Sequence, residues 1–210
     1  MKTALLFFVS SLMIVAAAPL AGASRLEDTV VIRTYDYANV THDQLAAART
    51  EAEQIFRRAQ IAVQWVDCRV PGRTGGEPCT DPLSRGRDLM LRLVDRTPAN
   101  ATEGERLVAL GESMVDREER GGVLMTVDLF RVSAIARNTS TDMPVLLGRA
   151  IAHEIGHLLL GSAEHARLGL MRALWSHDEL RGLKPANWGF SSHEAAQMRQ
   201  TLRGRLRTAD

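Results

Sequence analysis

The chain has 210 residues, 45% of them hydrophobic and 24% charged, with 16 Gly, 7 Pro and two Cys. Those proportions exclude a disordered, collagen-like or disulfide-dense chain and fit one ordinary globular domain with a sizeable core. Lys and Arg number 26 against 25 Asp and Glu, so no whole-molecule field favours nucleic acid or an anionic membrane.

Residues 1–23 read as a secretory signal peptide. Lys2 is the only charge before Arg25, residues 4–18 are apolar apart from Ser10 and Ser11, and Pro19 precedes an A-x-A site at Ala21-Gly22-Ala23. The apolar run is shorter than the roughly 20 residues a spanning helix needs. The expectation is a secreted or periplasmic protein, residues 24–210, with no stable membrane insertion after cleavage. Export permits disulfides. Cys68 and Cys79 flank one loop rich in Gly, Pro and Arg, and a bridge between them is expected; the alternative is a thiolate that caps a metal.

Residues 30–35 form a short β-branched run and read as a first strand. Thr41 offers an N-cap to a helix over 44–59, which sets Leu45, Ala48, Ala52, Ile55, Phe56 and Ala59 at helical spacing. Strands are expected at 61–66 and 89–93, where apolar residues alternate, and at 107–115 and 123–130. A strand–helix–strand unit followed by further strands predicts an α+β fold, a mixed sheet with a helix packed on it.

A long apolar helix is expected over 142–161, with Asp142 as N-cap, Pro144 in the first turn and Gly161 ending it. Inside it lies His153-Glu154-Ile155-Gly156-His157. A four-residue spacing puts both imidazoles on one face with Cβ atoms about 5–6 Å apart, close enough for both to reach one zinc ion at about 2.0–2.1 Å. Glu154, one position round, can touch a water on the metal without binding the metal, as a general base does. A catalytic zinc takes three protein ligands. His165, four residues beyond the break at Gly161, is the expected third; Glu164, His177 and Glu179 are its rivals. Further on, Ser191 and Glu194 form a capping box for a last helix through about residue 205, and Arg199, Arg203, Arg205 and Arg207 read as its solvated face.

The string His153-Glu154-x-x-His157-x-x-x-Gly161-x-x-x-His165, with Gly169-Leu170-Met171 after it, resembles the metzincin zinc peptidases, whose pattern is H-E-x-x-H-x-x-G-x-x-H with a later Met-turn. The glycine comes one residue late and the last histidine two, and Ala173 stands where some metzincins have a Tyr. The resemblance implies a twisted mixed sheet with a backing helix and an active-site helix (24–161) and a smaller, mainly helical C-terminal subdomain (162–210). It implies one catalytic Zn2+ on His153, His157 and His165, with Met171 as an apolar floor beneath it. A zinc-activated water, with Glu154 as base, would then hydrolyse a peptide or protein substrate, most simply as an endopeptidase. By the same resemblance Gly122, Val123, Leu124 and Met125 belong to an edge strand that pairs with extended substrate. Two other functions fit the residues: a non-catalytic exported domain with a structural or binding zinc, and a gluzincin-like peptidase with an acidic third ligand such as Glu179. Oligomeric state and substrate are not legible.

Overall fold

The β-branched residues of Thr29–Asp36 (β1) build the inside of a mixed sheet, with Val30 and Ile32 wholly buried. The computed structural model describes residues 28–70, 73–74, 77–83, 86–96, 109–116, 118, 121–182 and 187–207. The expected signal peptide lies outside these residues. The remaining strands are β2 (Ala62–Val70), β3 (Arg73–Thr74), β4 (Asp88–Val94), β5 (Gly111–Ser113) and β6 (Leu124–Asp128). Their order is β3-β2-β1-β4-β6-β5; β2, β1, β4 and β6 run parallel, while β3 and β5 are antiparallel to their neighbours.

Helix α1 (His42–Arg58) opens with a reciprocal capping box between Thr41 and Gln44, and its buried stripe is Leu45, Ala48, Ala52, Ile55 and Phe56. It packs beside α4 (Met143–Leu160), and the two helices share one core with the sheet. Each fully buried Leu, Ile or Phe on these faces contributes about 1.5–3 kcal/mol relative to exposure. The α+β class is as expected, and no helix among the described residues is long and apolar enough to cross a membrane.

Three expectations change. The strand expected at 123–130 ends at Asp128, and α3 (Leu129–Thr139) begins there. The Asp128 side chain accepts from the Phe130 N–H at 3.0 Å, so a helix start interrupts an apolar run that continues through Leu129 and Phe130. Second, the strand expected at 107–115 is three residues long among the described residues, and residues 107 and 108 lie outside them. Third, Gly122 and Val123 lead into β6, which holds Leu124 and Met125 and has β4 on one side and β5 on the other. Asp116 and Gly121 exchange backbone hydrogen bonds at 2.5 and 3.0 Å, and β5 lies antiparallel beside β6. The edge position near α4 therefore belongs to β5.

The C-terminal region contains α5 (His177–Leu180) and α6 (Ser192–Arg207). Its arginines clamp rather than solvate. Arg199 donates to the Ala59 carbonyl at 2.6 Å, Arg205 to the Leu158 carbonyl at 2.7 Å, and Arg203 forms two bonds to Asp28, at 2.8 and 2.6 Å. Their long side chains bridge α6 to the body where a sequence shows only a charged face; Arg207 lies beyond the described side chains.

A four-residue helix, α2 (Glu77–Thr80), carries Cys79, which is disulfide-bonded to Cys68 of β2 with Cα atoms 5.2 Å apart. No thiolate is left to cap a metal. Replacing both by Ser is expected to lower the unfolding free energy by about 2–3 kcal/mol, the loop-closure contribution of a short bridge. Denaturant melts check this; an unchanged midpoint would remove the bridge from the stability account.

Candidate metal centre

Helix α4 supplies the first half of the site. Pro144 sits in its first turn; Asp142 holds the N-cap position but its side chain makes no capping bond. Gly161 ends the helix at φ 64°, a left-handed conformation that costs a glycine little. From residue 146 to 159 nearly every side chain is buried, including His153, Glu154 and His157. One turn apart, the two imidazole rings meet edge to face with centroids 4.7 Å apart.

The second half comes from the chain after Gly161. The His157 Nδ1–H donates to the Ser162 carbonyl at 2.7 Å, and the His153 Nδ1–H to the Leu170 carbonyl at 2.9 Å. That same carbonyl accepts from the Trp175 indole N–H at 3.2 Å. The Ala166 N–H donates to the Met171 carbonyl at 2.8 Å and pins the exposed His165 beside its two partners, at ring centroid distances of 5.4 Å to His153 and 4.8 Å to His157. Met171 is buried beneath α4, where a Cβ on Gly156 would come within 2.5 Å of its sulfur.

The donor chemistry fits a metal cation. Carbonyl oxygens only accept, so both Nδ1 atoms carry the proton and both Nε2 atoms present a lone pair. Those two Nε2 atoms lie 3.0 Å apart. Two acceptors face each other at contact distance unless one ring is cationic, which burial opposes. It pushes the His153 pKa down to about 4 and His157 down as well, against the backbone bonds that raise both. A cation shared between the lone pairs removes the conflict. One ligand atom from each of His153, His157 and His165 lies within 4.8 Å of the others, and among the described residues this is the one such cluster. Three imidazoles suit zinc, whose tetrahedral sites bind nitrogen at about 2.0–2.1 Å.

The rivals for the third position are elsewhere. Glu179 accepts from Arg172 at 3.0 Å and from the Ser176 hydroxyl at 2.6 Å, and these bonds hold its carboxyl down to about 2. His177 begins α5 and Glu164 is exposed in the loop; neither joins the cluster.

Glu154 has burial that raises its pKa to about 7, opposed by a hydrogen bond from Ser113 of β5. The residue stands on the wall of a cavity of about 530 Å³, within the range of ligand sites. Leu110, Ile135, Ala150, Trp175 and Leu180 make much of that wall apolar, with the three histidines at one side. Trp175 packs edge-on to both His153 and Trp188, at 5.8 and 5.2 Å. Sequence reasoning missed Ser113, Arg172 and Ser162. A strand pattern over 111–113 was the available signal, but it does not say which face meets α4.

No protein-family model matches the chain, and no curated protein matches it in sequence. Its architecture is similar to that of solved structures. A zinc-dependent peptidase from Methanocorpusculum labreanum (strain Z) is 14% identical with a TM-score of 0.50, over 80% of this chain and 99% of that one. Archaemetzincin from Methanopyrus kandleri is 13% identical with a TM-score of 0.50, over 85% and 98%. At that identity the likeness is one of fold, and it spans nearly the whole of both neighbours.

Proposed function

We propose that this protein is an exported zinc peptidase of metzincin type, with one zinc ion held by His153, His157 and His165 and with Glu154 as general base. The observation that carries the reading is the pair of opposed Nε2 lone pairs, 3.0 Å apart, with a third imidazole beside them and a buried carboxylate one residue from the first ligand. A peptidase and an archaemetzincin among the fold neighbours support it, as does the N-terminal sequence for export to a secreted or periplasmic location.

Zinc bound there supplies a Lewis acid that polarises the scissile carbonyl and acidifies water at neutral pH. The chain does the rest. Glu154 takes the proton of the attacking water and returns it to the leaving amine nitrogen. The largely apolar cavity beside it seats an apolar side chain next to the scissile bond. Edge strand β5 offers main-chain groups to an extended peptide. Met171, under Gly156, forms the floor that keeps the ligand helix in place.

Metal removal is the test. The mature chain, from Ser24, is expected to carry one zinc and to cleave members of a mixed peptide library. A chelator should abolish cleavage and added zinc restore it. A chain that holds its zinc yet leaves the whole library intact would have a binding or structural zinc instead.

A further inference from the structure

We propose that Ser113 is the positioning residue for Glu154: its hydroxyl fixes one carboxylate oxygen against β5 and leaves the other to handle the substrate's proton. This rests on the zinc-peptidase reading and names a part of that site which the H-E-x-x-H string does not contain.

Strand β5 alternates. Glu112 faces away and reaches Arg96 at 3.3 Å, while Gly111 and Ser113 face α4. Ser113 Oγ lies 2.6 Å from Glu154 Oε2 and 2.9 Å from the Glu154 carbonyl oxygen. Gly111 supplies the other side of the cradle. A Cβ there would sit 2.8 Å from both Cγ and Oε1 of Glu154, so the carboxylate lies flat against a stretch of bare backbone. Oε2 is thereby assigned to the serine and Oε1 to proton transfer. A glutamate on a helix has three side-chain torsions, and among the described residues the Ser113 hydroxyl is the group hydrogen-bonded to this carboxylate. The hydroxyl serves in both halves of a turnover. It donates to Oε2 while the carboxylate is ionised; once Glu154 carries the proton, it can turn to the carbonyl oxygen and still hold a hydrogen bond. Because Ser113 belongs to the strand that would pair with substrate, base and peptide share one frame of reference, and small misplacements of a catalytic group are costly.

The test uses the mature, zinc-loaded chain. Ser113→Ala is expected to lower kcat by about 10- to 100-fold, the effect of deleting a hydrogen bond to a charged group. KM should stay within about twofold and zinc content should not change. Ser113→Thr keeps the hydroxyl on a strand that suits a β-branched residue and should recover most of the rate. Gly111→Ala, whose Cβ would crowd both the carboxylate and, at 2.8 Å, the Thr126 carbonyl oxygen of β6, should lose at least as much rate as Ser113→Ala. Calorimetry with acetohydroxamate gives a readout apart from turnover, since the carboxylate must accept this chelator's proton. Its affinity should fall about tenfold in Ser113→Ala and return in Ser113→Thr. A Ser113→Ala chain within twofold of the parent in kcat and in acetohydroxamate affinity, or a Thr variant as impaired as the Ala one, overturns the assignment. A parent that binds zinc and cleaves nothing sinks the peptidase reading instead, and the acetohydroxamate series then decides the role of Ser113 by itself.

Discussion

A Glu154→Gln chain is expected to retain one zinc ion and to lose about 10²- to 10⁴-fold in kcat, the usual contribution of a positioned general base. The amide fills the same volume and can still accept from Ser113 Oγ, now 2.6 Å from Oε2, so the cradle survives the exchange. None of the three ligands is touched. What disappears is the ability to carry a proton from the attacking water to the leaving nitrogen. Metal analysis and steady-state kinetics on the same preparation check both halves. Equal cleavage by parent and variant would make the base assignment wrong, and loss of zinc in the variant would mean that residue 154 helps to hold the metal.

Replacing His165 by Ala is expected to weaken zinc binding by more than about a hundredfold, because even groups that only orient a ligand cost 10–100-fold when removed. His153 and His157 are buried and braced by carbonyls, whereas His165 is exposed and held by the backbone bond from Ala166 to Met171. Its deletion opens no cavity in the core, so the fold should survive and the loss should fall on the metal. Competition against a chromophoric chelator gives the affinity, and circular dichroism gives the fold. Undiminished affinity in His165→Ala, with loss in Glu179→Ala, would transfer the third position to the acidic rival.

The parts of this fold that a sequence could announce were those with a local cause. Thr41 and Gln44 marked the start of α1, Pro144 and Gly161 bracketed α4, and Ser191 with Glu194 opened α6, because capping and helix-breaking act within a few residues. The imidazole pair was legible for the same reason. Helix α3 was not, since Leu129 and Phe130 prolong the apolar run of β6 and only the Asp128 cap marks the change. The edge strand was also out of reach. Nothing in residues 122–125 records that β5 pairs alongside the strand they lead into, from Met125 to Val127. Ser113 lies 41 positions from Glu154, and the arginines of α6 find partners as far as 175 positions away. Such pairings are set by strand order and helix docking, which no short window contains.

The braces on the imidazoles have a consequence for how the ion comes and goes. The Ser162 and Leu170 carbonyls aim the His157 and His153 rings, and the Ala166–Met171 bond holds the backbone beside His165. Small zinc folds collapse when stripped, because the metal is what organises them. Here the socket is machined in advance, so a stripped molecule should keep its shape, wait in a scarce environment, and be revived by resupply without refolding.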